Sequence, residues 1–163
     1  MEIINGERLV LGTCYYPEHW DESLWRDDLR RMLENGIEVI RIAEFAWSKI
    51  ERYEGVFNYD FFDRFLDLAE EMGMKVIFCT PTATPPAWLT EKYPEVLNAN
   101  MDGVLYRHGA RRHYNYNSPK YQELTRIIVE KSAAHYAKHP AIIGWQIDNE
   151  LNCEKDVFYS ESD

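Results

Sequence analysis

The chain has 163 residues, of which 45% are hydrophobic and 14% aromatic, a composition typical of a globular protein with a core of its own. Its formal net charge of -10 disfavours nucleic acid and anionic membrane surfaces as partners. The sequence has no run near the roughly 20 apolar residues of a membrane span, and residues 1–8 lack the basic and then apolar pattern of a signal peptide.

Strands and helices are predicted to alternate along the chain, which indicates a parallel sheet with right-handed crossovers. The predicted strands are residues 9–16, 39–43, 75–80 and 142–147. The first predicted helix spans 21–35 with one apolar face, formed by Leu24, Trp25, Leu29, Met32 and Leu33. The second begins at Asp60 as its cap and ends at Gly73, and the third begins at Ser118-Pro119.

Two architectures fit this alternation, an open doubly wound sheet and a (β/α)8 barrel. A dinucleotide-binding sheet needs a glycine-rich turn after its first strand, whereas residues 14–20 read Cys-Tyr-Tyr-Pro-Glu-His-Trp. Polar and aromatic residues instead follow every predicted strand: Tyr16, Glu18, His19 and Trp20; Glu44 and Trp47; Thr80 and Trp88; Asn149 and Glu150. This is the pattern of a barrel, whose active site lies at the carboxyl ends of its strands.

A complete barrel has about 250 residues. Four strands in 163 residues therefore predict an α/β fold that is the first half of a TIM barrel, with residues 1–163 as the N-terminal part of a catalytic domain. Half a barrel leaves two sheet edges unpaired. We therefore expect a truncated gene product or a fragment that needs the missing half.

The fourth strand and the long connection before it carry the candidate site. The apolar run 142–147 stops at Asp148-Asn149-Glu150, where a glutamate beside an asparagine can serve as general acid to a glycosidic oxygen. The connection 81–117 is long enough to be functional. Its aromatic, arginine and histidine side chains suit carbohydrate, with sugar rings stacked on aromatic faces: Trp88, Tyr93, Tyr106, His108, Arg111, Arg112, His113, Tyr114 and Tyr116.

Five motifs in order resemble the beta-galactosidases of glycoside hydrolase family 42 over nearly the whole chain. They are Gly12-Thr-Cys-Tyr-Tyr-Pro-Glu-His-Trp20, Arg41-Ile-Ala-Glu-Phe-Ala-Trp47, Pro81-Thr-Ala-Thr-Pro-Pro-Ala-Trp88, His108-Gly-Ala-Arg-Arg-His-Tyr114 and Trp145-Gln-Ile-Asp-Asn-Glu150. The resemblance implies a retaining galactosidase that releases terminal beta-D-galactose and assembles as a homotrimer. It assigns Glu150 as acid/base, and Asn149 and Arg111 as substrate contacts. The family nucleophile, a glutamate near the end of strand seven, would lie beyond residue 163.

The same resemblance bears on metal binding. Some family members bind zinc through a cysteine directly after the Arg-Arg-His-Tyr motif and further cysteines downstream. Here Asn115 holds that position, and only Cys153 lies downstream of it. Four soft ligands cannot be assembled from this set, so we expect no zinc and no cofactor. Widely spaced cysteines without a Cys-x-x-Cys pair indicate reduced thiols in a cytoplasmic protein.

Several of these residues also have plain structural explanations. Glu150 can be an acid that starts a helix, and Asn149 a cap. The residues alone do not tell whether Arg111 or Arg112 faces the pocket, and one of them can form a structural ion pair. Trp47 and Trp88 fit core packing as well as sugar platforms. Glu44 is predicted to be a wall or structural acid, because strands two and four are not adjacent and retaining chemistry needs carboxyl groups about 5 Å apart.

Three functional alternatives stay open on the sequence. The chain can belong to another retaining glycosidase, such as a glucosidase or mannanase. It can also be a sugar-binding fragment without turnover, or an inert and unstable piece of a barrel.

Overall fold

The computed structural model describes residues 9–109, 112–151 and 157–162, which fall into two compact units. The first unit comprises Met1–Ala43, Tyr59–Cys79 and Tyr136–Ile147. The second unit comprises Glu44–Asn58, Thr80–His135 and Asp148–Asp163, the segments that follow three of the strands in the chain.

The elements in chain order are as follows. The strands are β1 (Leu11–Cys14), β2 (Ile37–Ile42), β3 (Glu51–Tyr53), β4 (Val56–Phe57), β5 (Lys75–Cys79) and β6 (Ile142–Gln146). The helices are α1 (Trp25–Glu34), α2 (Trp47–Ile50), α3 (Asp60–Met72), α4 (Ala87–Lys92) and α5 (Pro119–Tyr136), with 3-10 turns at Pro17–His19, Glu22–Leu24, Pro81–Ala83 and Pro94–Val96. Among the described residues, no helix is both long and apolar enough to cross a bilayer.

The first unit is built on one parallel sheet with the strand order β1-β2-β5-β6. Strand β1 pairs with β2, β2 with β5 and β5 with β6, so the strands of this sheet lie in chain order, and Arg41 of β2 lies opposite Cys14 of β1 and Ile77 of β5. A doubly wound sheet reverses its strand order at a switch point, and this sheet does not. The predicted first half of a (β/α)8 barrel is therefore confirmed, with four strands at the predicted places.

Helix ends follow from local sequence, with two corrections. Gly73 ends α3 in the left-handed region at φ 78°, as its sequence predicts. Asp60, however, is the first helical residue and Tyr59 precedes it as the cap residue, so the predicted aspartate cap is wrong. Leu24 is also 46% exposed and not part of the apolar face of α1. It belongs to a 3-10 turn, which Asp21 caps by accepting from the Ser23 N–H at 2.9 Å, and this turn shifts the helical phase.

An aromatic cluster fills the core of the first unit. The Phe78 ring lies 5.7 Å from Phe62, 4.7 Å from Tyr136 and 5.4 Å from Trp145 between ring centroids. Strand β1 lies at the edge of the sheet, and all four of its residues are exposed. The core is therefore centred on β2, β5 and α3, and the first strand is shorter than the predicted 9–16.

The second unit contains elements that the sequence did not predict. A short antiparallel hairpin pairs β3 with β4, and the long connection holds α4, two 3-10 turns and the isolated bridges Leu97–Tyr114 and Ala99–Leu105. The start of α5 is as predicted, because the Ser118 hydroxyl accepts from the Tyr121 N–H at 3.4 Å and Pro119 is the first helical residue.

Candidate active site

Asp148, Asn149 and Glu150 follow β6 in a strained backbone segment. Asp148 and Glu150 both have left-handed φ angles, 54° and 46°, which cost non-glycine residues energy and persist only where the surroundings enforce them. Asp148 is buried, Asn149 half-buried and Glu150 exposed. Ile147, which the sequence places in the apolar strand, is 74% exposed. The strand therefore ends before Ile147, and Asp148, Asn149 and Glu150 belong to the second unit.

The Asp148 carboxylate is the hydrogen-bonding centre of this segment. Its Oδ2 accepts from the Thr82 hydroxyl at 2.6 Å. Its Oδ1 accepts from Arg112 Nη1 at 3.1 Å and from the Asn149 N–H at 2.6 Å. The Asp148 N–H in turn donates to the Thr80 hydroxyl at 2.7 Å. One buried carboxylate thus joins the segment after β5, the long connection and the backbone that carries Asn149 and Glu150.

Tyrosines surround the buried guanidinium of Arg112. Arg112 is 3% exposed and donates to the Tyr114 hydroxyl, and its charge lies 5.5 Å from the centre of the Tyr116 ring. Burial raises the pKa of Tyr114, and the negative charge of Asp148 raises it further. Burial likewise raises the pKa of Tyr121, whose hydroxyl donates to the Thr82 carbonyl at 2.8 Å. Both phenols therefore stay neutral and hold the network as hydrogen-bonding groups.

A cavity of about 460 Å³ lies within the second unit, in the size range of small-ligand sites. Its wall combines apolar residues with a few polar ones, and it is lined by Phe45, Ser48, Ala83, Thr84, Pro85, Pro86, Ala87, His108, Gly109, Arg112, His113 and Asn149. Arg112 Nη2 and Thr84 Oγ1 are buried in this wall without a hydrogen-bond partner among the described residues. Unpaired buried polar atoms cost free energy, and because these two have almost no accessible surface they belong to the packing of the wall and not to its ligand-facing surface.

The predicted site residues have different outcomes. Asn149 lines the cavity, and Glu150 is its neighbour in the chain. Arg111 lies outside the described residues, so its role stays a prediction. Arg112, the other arginine of the pair, forms the structural ion pair with Asp148. Sequence reasoning missed Asp148 itself, although a charged residue at the end of an apolar strand was a usable signal.

Neither of the two candidate tryptophan platforms lines the cavity. Trp47 is fully buried, and its Nε1 donates to Glu51 Oε2 at 2.7 Å. Trp88 is half-buried and donates to the Glu51 carbonyl at 3.0 Å. Burial raises the pKa of Glu51, while the hydrogen bond from Trp47 opposes that shift. The aromatic residue that lines the cavity is Phe45, 37% exposed, which sequence reasoning did not single out.

Glu44 and the two histidines occupy supporting positions. Glu44 is 1% exposed and is not among the residues that line the cavity. Ala43, directly before it, adopts a left-handed φ of 73°. His108 Nδ1 lies 3.0 Å from the Thr90 hydroxyl, and its ring centre lies 5.0 Å from that of His113. Both histidines line the cavity, which places them in its wall as well as in the loop structure.

Asn115 directly follows the Arg-Arg-His-Tyr motif, the position on which the prediction of no zinc rests. Asn115 is fully buried, and its Nδ2 donates to the Ser160 hydroxyl at 2.6 Å. The Asn98 side-chain oxygen accepts from the Tyr159 N–H at 3.2 Å. These bonds tie the long connection to residues 157–162. Cys14 and Cys79 lie on strands β1 and β5, and Cys153 lies outside the described residues.

One group of described residues in the first unit could approach a metal ion. Ligand atoms of Asp67, Glu70 and His139 lie within 4.8 Å of one another. The Ala141 N–H donates to His139 Nδ1 at 3.3 Å, which places the proton of a neutral ring on Nε2, 3.6 Å from Asp67. The 3.6 Å contact between His139 and the exposed carboxylate of Asp67 accounts for this grouping.

Comparison with known proteins identifies the family. The sequence model described as beta-galactosidase, glycoside hydrolase family 42, matches residues 14–163. The chain is 43% identical to beta-galactosidase Bga of Halorubrum lacusprofundi, over 90% of this chain and 21% of the relative. It is 45% identical to beta-galactosidase BgaA of a Thermus species, over 91% and 23%.

The structural match agrees. The fold superposes on a crystal structure of beta-galactosidase from the psychrophilic Marinomonas ef1 with a TM-score of 0.91 and 42% identity, covering 94% of this chain and 24% of that one. The chain thus spans about a fifth to a quarter of the length of these relatives. It belongs to glycoside hydrolase family 42, the family of these beta-galactosidases.

Proposed function

We propose that this chain carries the acid/base half of a retaining beta-galactosidase. Glu150 is the proton donor, and Asn149 and Arg111 contact the sugar. The observation that carries the proposal is that Asn149 lines a cavity of ligand size, within a backbone segment that the buried carboxylate of Asp148 holds in place. Family membership supplies the substrate class, since the matched relatives are beta-galactosidases.

The chemistry follows from the two-carboxylate scheme of retaining glycosidases. Glu150 protonates the glycosidic oxygen while a second carboxylate attacks the anomeric carbon, and it then deprotonates the water that releases galactose. A proton donor must keep its proton near neutrality, which requires burial or a nearby negative charge. Glu150 is exposed in this chain. The proposal therefore assigns its enclosure, and the nucleophile, to the part of the relatives that this chain does not match.

The first experiment assays the purified chain with a nitrophenyl beta-galactoside. We expect no turnover, because the covalent step needs a second carboxylate about 5 Å from the first. Robust turnover of the purified chain that Glu150→Gln abolishes would contradict the proposal that the nucleophile lies in the part of the relatives that this chain does not match. A galactose titration in the same preparation separates a sugar-binding fragment, which binds, from an inert one, which does not.

The second experiment places residues 14–163 in a complete enzyme. They replace the matched segment of the Thermus relative, which is 45% identical, and Glu150→Gln is tested in this chimera. Loss of a general acid should lower kcat/KM by about 10²–10⁴-fold. The loss should be smaller for a dinitrophenyl galactoside, whose leaving group needs less protonation. Glu95→Gln, at an exposed glutamate of the same unit, is the matched control.

A panel of aryl glycosides on the chimera tests the substrate class. Preference for galactosides supports the proposal, whereas preference for glucosides or mannosides would favour another retaining glycosidase. A cytoplasmic location and a trimeric assembly of the complete protein belong to the same proposal, and cell fractionation and light scattering test them.

A further inference from the structure

Two hydrogen bonds hold the backbone on either side of Glu150, one from within its own segment and one from the long connection. On the amino-terminal side, the Asn149 N–H donates to Asp148 Oδ1 at 2.6 Å. On the carboxyl-terminal side, the Leu151 carbonyl accepts from the Tyr116 hydroxyl at 2.8 Å. Glu150 itself adopts a left-handed φ of 46°. Hydrogen bonds on both sides of a strained residue restrict its backbone, and so restrict the direction of the side chain that it carries.

The Asp148 carboxylate is itself oriented by two residues distant in the chain. Thr82 donates to Oδ2 and Arg112 to Oδ1, so the carboxylate plane has one favoured setting. Thr82 is 2% exposed, and its carbonyl is held by the Tyr121 hydroxyl. A carboxylate fixed at both oxygens can impose a direction on the peptide that it accepts from, since charge-assisted hydrogen bonds are short and directional.

We propose that Asp148 is the positioning residue of this site, and that its carboxylate, oriented by Thr82 and Arg112, sets the direction of Asn149 and Glu150. Asp148 does not exchange protons with substrate; it acts through the backbone of its two successors. This inference rests on the proposed function, because Asp148 is proposed to orient the side chain that acts as acid/base. The effect of Asp148 on the backbone can be measured without an activity assay.

The test uses backbone ¹⁵N relaxation of the 163-residue chain. Thr82→Val keeps the volume of the side chain and removes the donor to Asp148 together with the 3.4 Å contact between the Thr82 and Thr80 hydroxyls, and Thr82→Ser restores the hydroxyl. For the wild type we expect rigid amides at residues 149–151, with order parameters of about 0.85, falling below about 0.6 in Thr82→Val and in Asp148→Asn. Thr82→Ser should recover the wild-type values. Asp102→Asn, which removes an exposed aspartate of the same unit, should leave them unchanged.

Galactose binding provides the second measurement. Thr82→Val should weaken binding about tenfold, the size of effect expected for one hydrogen bond to a charged group, and Thr82→Ser should restore it. The proposal is overturned if residues 149–151 stay rigid in Thr82→Val and Asp148→Asn. It is also overturned if order is lost evenly across the second unit, which would make Asp148 a general stabiliser. If Glu150→Gln left the chimera fully active, the proposed function would fail while the relaxation result stood.

Discussion

The Arg112 guanidinium and the Asp148 carboxylate form an ion pair with an Nη1–Oδ1 distance of 3.1 Å, and their side chains are only 3% and 11% exposed. Removing one partner of such a pair leaves a buried charge without compensation. We expect Arg112→Met to lower the free energy of unfolding by about 3–5 kcal/mol. Urea denaturation of the variant and the wild type measures this loss.

The double variant Arg112→Met/Asp148→Asn should lose less than the sum of the two single variants, because it removes both charges together. Arg26→Met, which breaks an ion pair with Glu71 whose partners are 59% and 61% exposed, is the matched control and should have a much smaller effect. Equal losses in Arg112→Met and Arg26→Met would show that burial does not strengthen the Arg112–Asp148 pair.

The carboxylate of Glu54 should make stability depend on pH. It accepts from Lys92 Nζ and from the Tyr93 hydroxyl, and these hydrogen bonds, that from Lys92 first, lower the pKa of Glu54 below its usual 4.5. A lowered pKa in the folded state contributes stability above the unfolded pKa that is lost as pH falls through the folded one. The difference in melting temperature between wild type and Glu54→Gln should therefore be constant from pH 7 to about 5.5 and vanish in stronger acid.

Salt provides the control for this prediction, because the ion pair is close to solvent and is screened. In 1 M sodium chloride the difference at pH 7 should shrink. Glu95→Gln, at an exposed glutamate without a partner among the described residues, should show no such pH dependence. A difference for Glu54→Gln that persisted unchanged at pH 2 would contradict the assignment.

The strands of the parallel sheet were predictable because short apolar runs indicate buried strands. Residues 75–80 and 142–147 are short apolar segments bounded by Gly73 and by His139-Pro140, and β5 and β6 lie within them. The order of the strands followed from the chirality and adjacency rules for parallel strands. The residues at the carboxyl ends of these strands could be identified in the same way, which is how Asn149 was predicted as a site residue.

The site's supporting residues were not predictable, because they depend on tertiary contacts. No local pattern connects Thr82 with Asp148 across 66 positions, yet the two are 2.6 Å apart. The hairpin of β3 and β4 has strands of three and two residues, too short for periodicity to register. Trp47 and Phe45 are two residues apart, and nothing in composition tells which is buried and which lines the cavity.

Asn115 should stabilise the second unit by its hydrogen bond to Ser160. Ser160→Ala removes the hydroxyl that accepts from the buried Asn115 amide at 2.6 Å and keeps the bond that the Asn115 oxygen accepts from the Asn117 N–H at 2.8 Å. A buried polar group left without its partner costs about 1–3 kcal/mol. Chemical denaturation should show a loss of this size for Ser160→Ala and a larger loss for Asn115→Asp, which also buries a charge.

Melting temperatures measured with and without zinc test the separate prediction that the chain binds no zinc. Because Asn115 offers a neutral amide and Cys153 is the one cysteine after it in the sequence, we expect neither zinc nor EDTA to shift the melting temperature. A zinc-dependent rise of several degrees that Asn115→Ala abolished would show that this segment binds metal after all. A rise that Asp67→Asn abolished would instead locate the ion in the first unit.

Phe45, and not Trp47, should be the aromatic contact of the bound sugar. Phe45 lines the cavity at 37% exposure, whereas Trp47 is fully buried and its Nε1 is engaged by Glu51. Stacking on an aromatic face contributes about 0.5–1.5 kcal/mol beyond area burial. Phe45→Ala should therefore weaken galactose binding about three- to tenfold, with a smaller loss of unfolding free energy than the about 3–5 kcal/mol expected for a fully buried aromatic ring. Phe45→Tyr, which keeps the ring, should bind as the wild type does.

The matched substitution Trp47→Ala separates binding from folding. It removes a fully buried side chain and should cost about 3–5 kcal/mol of stability. A galactose titration followed by the amide signals of Asn149 and Gly109 reads binding at the cavity itself, since both residues line it. If Phe45→Ala bound galactose as tightly as the wild type, the sugar would have to be placed against another wall, and the prolines at positions 85 and 86 offer the next apolar surface.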